Sequence, residues 1–130
     1  DLVDADLFIV DNGAGGTNRK VAASRIKTYI GGGTQWQSVK TSNYTATAGQ
    51  GVFMNTTSGA LTLTLPASPS IGDEVTFVDY AGTFDSNNLT IARNSSKIAG
   101  AESDLTVATE RAANTLVFTD STQGWLLKNK

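Results

Sequence analysis

The sequence predicts a mainly β protein: an antiparallel β-sandwich or barrel-like domain preceded by a small β-hairpin/short-helix adaptor. Three observations point there. After residue 34, short apolar runs recur at a spacing of roughly 8–12 residues, the pattern of sandwiches and barrels. Several runs alternate, as in Leu61-Thr62-Leu63-Thr64-Leu65, which makes one face apolar and the other hydroxylated. Finally, 39% of residues are hydrophobic and 17% charged, with Thr set inside apolar runs. That is too apolar for a disordered chain and too lightly charged for a coiled coil, and it favours strands.

The 130 residues suffice for one ordinary domain with a small appended piece. Residues 1–30 read as the adaptor. Leu7-Phe8-Ile9-Val10 favours a strand and ends in the dense turn signal Asp11-Asn12-Gly13-Ala14-Gly15-Gly16. Arg19-Lys20-Val21-Ala22 can return beside it. Ser24 suits a helix N-cap. Ile26, Tyr29 and Ile30 then share one face of a one- to two-turn helix. Gly31-Gly32-Gly33 is a flexible hinge. So short a piece buries little, so it is expected to dock on other surfaces.

Residues 34–130 read as the β-sandwich-like module. Its expected strands are Gln35–Val39, Val52–Met54, Leu61–Leu65, Glu74–Asp79, Leu89–Ile91, Leu105–Val107, Thr115–Phe118 and Trp125–Leu127. Pro66 and Pro69 bracket a turn. Antiparallel pairing is expected, since no room is left for crossover helices. No fixed-period repeat is visible, so the sequence offers no support for a β-helix or propeller.

Composition excludes several kinds of function. There is no cysteine, hence no disulfide scaffold or thiolate metal site. There is no histidine either, which removes the commonest general base and transition-metal ligand. The net charge is −2, and the Lys and Arg are scattered, so nucleic acid is not an expected partner. No run reaches the roughly 18–20 apolar residues that cross a bilayer, so membrane insertion is not expected. The N-terminus Asp1-Leu2-Val3-Asp4 lacks a signal-peptide pattern and a starting Met. The expectation is a fragment or processed form of a longer protein.

Gly13-Ala14-Gly15-Gly16-Thr17-Asn18-Arg19-Lys20 lacks the glycine before Lys-Ser/Thr that a phosphate loop needs, and reads as a hairpin turn. Asp73, Glu74, Asp79, Asp85, Glu102 and Asp104 could in principle pair for glycoside hydrolysis. Most lie at strand ends, where Asp serves local backbone bonds. An enzyme acting on surface glycans would lean on Asp79 or Asp85. Asp85-Ser86-Asn87-Asn88 could offer oxygens to Ca²⁺ but reads as a polar loop. Trp36, Tyr44, Tyr80 and Trp125 could stack on a sugar or fill core and interface. Trp125 beside Leu126-Leu127 reads as core. Tyr80, in a surface loop, is the better sugar contact, with Trp36, Asp85 and Asn87 as companions. The sequons at Asn43, Asn55, Asn88 and Asn94 are what a chain rich in Asn, Ser and Thr produces by chance. No catalytic residue, cofactor or metal is expected.

Two stretches resemble a known family. Asp6-Leu7-Phe8-Ile9-Val10-Asp11, Gly16-Thr17-Asn18-Arg19-Lys20-Val21 and Ser24-Arg25-Ile26-Lys27-Thr28-Tyr29-Ile30 are similar to a linker module in tail-fibre and other virion appendage proteins of tailed bacteriophages. Tyr44-Thr45-Ala46 through Val52-Phe53-Met54, Leu61–Pro66, Gly72–Phe77 and Asn88–Arg93 resemble the β-rich distal modules of such proteins. Together they cover nearly the whole chain, and the first is the more specific. The resemblance implies a structural protein of the virion, exposed to the extracellular medium. It implies a homotrimer attached to other tail or capsid proteins, with Leu7, Phe8, Ile26, Tyr29 and Ile30 between subunits. It also implies contact with host polysaccharide or an outer-membrane protein. A capsid-attached head fibre or decoration protein, a carbohydrate-binding domain, or a surface-glycan depolymerase stays open. Phage depolymerases usually carry a repetitive β-helix, which the sequence does not suggest.

Overall fold

The computed structural model describes residues 7–11, 18–22 and 33–129. The chain divides into two compact units, Asp1–Gly33 and Thr34–Lys130. In the first, β1 (Leu7–Asp11) and β2 (Asn18–Ala22) pair antiparallel, with Leu7 opposite Ala22 and Asp11 opposite Asn18. The expected turn at 12–17, the helix at Ser24–Ile30 with Ile26, Tyr29 and Ile30, and Gly31-Gly32 of the hinge lie outside the described residues.

The second unit is entirely β among the described residues. Its strands are β3 (Gln35–Trp36), β4 (Tyr44–Thr45), β5 (Gln50–Met54), β6 (Leu61–Thr64), β7 (Glu74–Asp79), β8 (Leu89–Ala92), β9 (Leu105–Val107), β10 (Ala113–Phe118) and β11 (Trp125–Leu127). They form a five-stranded sheet in the order β11-β10-β7-β5-β3 and a four-stranded sheet in the order β4-β6-β8-β9. The mainly β expectation holds. Most strands start or end within a residue or two of their apolar runs, because alternation every two residues is a local property of the chain.

The antiparallel expectation holds for three of the seven strand pairings of this unit and fails for four. β3 with β5, β5 with β7, β4 with β6 and β6 with β8 are all parallel. Only β7–β10, β10–β11 and β8–β9 are antiparallel. Parallel neighbours need crossovers of about a dozen residues or more, and helices are only one way to supply them. Here each crossover carries a strand of the other sheet. From β3 to β8 the chain passes between the sheets at every step, so the first six strands wind as three successive coils. This winding has no fixed repeat length, which is why a search for periodicity does not reveal it.

The inward residues of both sheets make one core. Val52 and Met54 of β5, Leu63 of β6, Val75 and Phe77 of β7, Leu89 and Ile91 of β8, Leu116 of β10 and Trp125 of β11 belong to a single buried cluster. Burying each such side chain fully contributes roughly 1.5–3 kcal/mol. Trp125 meets Phe118 edge-on at 5.5 Å and is fully buried, in line with its reading as core. Its indole N–H has no hydrogen-bond partner. The outward positions of β4, β6, β8 and β9 hold Thr45, Thr62, Thr64, Thr90 and Thr106, the hydroxylated face the alternation foretold.

Candidate functional site

The residues with a binding role in prospect fall at one end of β7 and along the outer face of the five-stranded sheet. The anchor of that end is Asp79, the last residue of β7. Strand alternation turns it inward, and it is 1% exposed. A buried carboxylate is costly unless its oxygens are satisfied. Here Oδ1 accepts the backbone N–H groups of Gly82 at 3.0 Å and Thr83 at 3.1 Å. Oδ2 accepts those of Phe84 at 3.1 Å and Arg111 at 2.9 Å. Burial pushes the carboxyl pKa up, but the N–H groups of Phe84, Thr83, Arg111 and Gly82 pull it down by more, so it lies below its ordinary 3.8. With both oxygens taken by the backbone, Asp79 ties the 80–88 loop to the 109–112 turn and has no site open for a substrate proton.

A second set of contacts completes the mooring. The Arg111 guanidinium donates from Nη1 to the Tyr80 carbonyl at 2.9 Å. Gly82, at φ +70°, gives it room, since a Cβ there would sit 2.7 Å from Arg111 Nε. The Thr56 and Thr83 hydroxyls pair at 2.8 Å. Asn87 donates from Nδ2 to the Thr56 carbonyl at 2.8 Å. The amide of Asn87 therefore holds the loop in place. Asp85 lies exposed on the same loop, and the Tyr80 side chain is 51% exposed beside it.

Trp36 lies elsewhere on the sheet. It sits on the edge strand β3, opposite Gly51 of β5, and is 50% exposed. Its ring occupies the space above Gly51, where an added Cβ would come within 2.5 Å of Cε3. It stacks on Phe53 with ring centroids 4.8 Å apart and planes at 23°. Phe53 and Gly51 share the outward face of β5, and Phe53 pairs with Val78 of β7. Tyr80 continues that ladder, donating its N–H to the Met54 carbonyl at 3.1 Å. Trp36, Phe53, Val78 and Tyr80 therefore run diagonally over one face. Strand spacing and rise place the ends of this diagonal roughly 16 Å apart. The sequence points to Trp36 and Tyr80 but not to Phe53 or Gly51, whose roles depend on the parallel register.

The charges around this face are few and locally engaged. Glu74 and Lys128 pair at 3.4 Å. The Thr76 and Thr115 hydroxyls, two and three strands in from Trp36, bond each other at 2.8 Å. Other carboxylates serve turns: Asp73 accepts from Ser70 N–H, Asp104 from Arg93 N–H, and Asp120 from the N–H groups of Thr122 and Gln123. Among the described residues no three of His, Cys, Asp or Glu come together to hold a metal. On the opposite flank an open cleft of about 220 Å³ lies between β9 and β10, lined by Phe77, Leu105, Val107, Ala112 and Leu127 with Asn114. Nothing in it resembles acid–base or nucleophilic chemistry.

No protein-family model matches the chain, and no curated protein matches it as a relative.

Proposed function

We propose that this chain is a structural, non-catalytic module of a virion appendage, of the tail-fibre kind, which assembles as a homotrimer and contacts the host cell surface. The 34–130 unit, read as a β-sandwich, is the contact module, and residues 1–33 link it to the rest of the particle. The single observation that carries the contact role is the outer face of the five-stranded sheet. It presents Trp36, Phe53 and Tyr80 to solvent beside a loop that Asp79 holds rigid. Rigid presentation lowers the ordering cost of binding, and exposed aromatics are the commonest anchors of recognition surfaces. The virion setting rests on the resemblance of the linker and strand motifs. Leu7, Phe8, Ile26, Tyr29 and Ile30 are the proposed subunit contacts of the linker. Light scattering of the whole chain at micromolar concentration is expected to give three times the chain mass. A stable monomer would overturn the assembly reading.

A carbohydrate-binding role is favoured over a glycan-cleaving one by the geometry of Asp79. An enzyme built on it would need a carboxyl oxygen free to take or give a proton, and both are bonded to backbone N–H groups. Release of reducing ends from host polysaccharide is expected to be nil for the wild type and for Asp85→Asn.

A further inference from the structure

We propose that the diagonal Trp36–Phe53–Tyr80 on the outer face of the five-stranded sheet is a binding track for an uncharged saccharide chain, with Gly51 setting the pose of its principal ring. This rests on reading the chain as a surface-contact module and names the ligand class of that contact.

The first ground is the way Trp36 is held. Trp36 keeps half its surface in solvent while it packs on Phe53 at 4.8 Å and over Gly51, where any side chain would displace the ring. A ring packed against its neighbours and still open matches the apolar C–H face of a sugar, because stacking then leaves less to order.

The second ground is the charge of the face. The Glu74 and Lys128 side chains compensate each other, and the remaining outward residues of β5, β7 and β10 are Gly51, Phe53, Thr76, Val78, Ala113, Thr115 and Val117. The cation at the Tyr80 end, Arg111, is bonded to the Tyr80 carbonyl, and the exposed Asp85 of the same loop opposes it in sign, so a sulfated or uronic-acid chain would find no surplus of positive charge to compensate its own. A neutral chain finds rings to lie on and neutral polar groups beside them. Those groups are the Thr76–Thr115 hydroxyl pair, the Tyr80 phenol, and Asn55, which follows Met54 as Tyr80 follows its register partner Asp79.

The third ground is length. The diagonal of roughly 16 Å exceeds a single sugar ring, so the track suits a short run of linked units and monosaccharides are expected to bind far more weakly.

The chain has two tryptophans, and Trp125 is fully buried, so acrylamide quenching reports Trp36 selectively. The experiment measures protection of Trp36 from acrylamide in the intact chain. The probes are neutral oligosaccharides (maltohexaose, cellohexaose and fragments of neutral host polysaccharide) and one acidic probe, an oligogalacturonate. The expected result is saturable protection by at least one neutral oligosaccharide and none by the acidic one. Affinity is expected to fall at least about tenfold in Trp36→Ala or Tyr80→Ala, as for an interface hot spot, with circular dichroism unchanged. Gly51→Ala keeps the indole but displaces it, and is expected to weaken binding similarly. No protection by any neutral probe, protection by the acidic probe alone, or Gly51→Ala and Trp36→Ala both binding at wild-type strength would overturn the proposal. A change of mass in light scattering for Trp36→Ala would also overturn it, by making this face a contact between copies. A monomeric wild type that binds a neutral probe would remove the assembly reading and leave the track standing.

Discussion

Replacing Asp79 by Asn tests how much of the molecule hangs on one carboxylate. The side chains are nearly identical in shape, so the change isolates charge and hydrogen bonding. In the wild type four backbone N–H groups converge on the two oxygens. An amide can satisfy only the pair on its single oxygen. Its NH₂ group must face the other two, either Phe84 and Arg111 or, after a flip, Gly82 and Thr83. Two hydrogen bonds to a charged acceptor are lost, each contributing roughly 1.5–3 kcal/mol, and donor then faces donor in a buried place. The expected cost is therefore about 3–6 kcal/mol, against a typical total of about 5–15 kcal/mol for a folded domain. For a unit of this size each kcal/mol moves the thermal midpoint by roughly 4–8 °C, so the midpoint should fall by at least about 10 °C. Urea and thermal unfolding followed by far-UV circular dichroism would measure this. A loss below about 1 kcal/mol would refute the reasoning, since it would mean that the loops keep their positions without the carboxylate.

The remaining predictions are read with the same unfolding assays. Because the folded carboxyl of Asp79 lies below its ordinary 3.8, its contribution is complete above that pH and is lost as pH falls through the folded value; the wild-type minus Asp79→Asn stability difference should be flat from pH 7 to about 5 and shrink below about 4. Gly124→Ala should cost at least about 2 kcal/mol, because φ is +73° and a Cβ would run into the Lys97 carbonyl; an unchanged midpoint would refute that geometry. Thr56→Val should cost roughly 1–2 kcal/mol by breaking the buried hydroxyl pair with Thr83, and a double-mutant cycle with Thr83→Val should show most of the loss to be shared. Leu63→Ala, in the middle of the core, should cost about 2–5 kcal/mol, with a denaturant slope close to wild type.

Local features of the sequence were enough for some of this protein and blind to the rest. The alternation of Leu61 to Leu65, the β-branched run of β7 and the Trp-Leu-Leu of β11 specify strands, because side chains two apart must share a face whatever lies opposite them. Missing histidine and cysteine limited the chemistry before any fold was considered. Strand direction was not available in this way. β5 and β7 are parallel because β6 crosses to the other sheet between them, and nothing in either strand records where the intervening chain goes. The roles of individual residues follow the same division. Asp79 looks like a strand-end carboxylate free for chemistry until Arg111, distant in sequence, supplies the fourth N–H. Asn87 looks like a ligand-facing amide until its partner proves to be the Thr56 carbonyl. Trp36 was visible as an aromatic with a binding role in prospect, but Gly51 and Phe53, which hold its ring open, became its neighbours only through the parallel β3–β5 pairing. Periodicity and composition act over a few residues, whereas sheet order and buried hydrogen bonds are set by the free energy of the whole packed core.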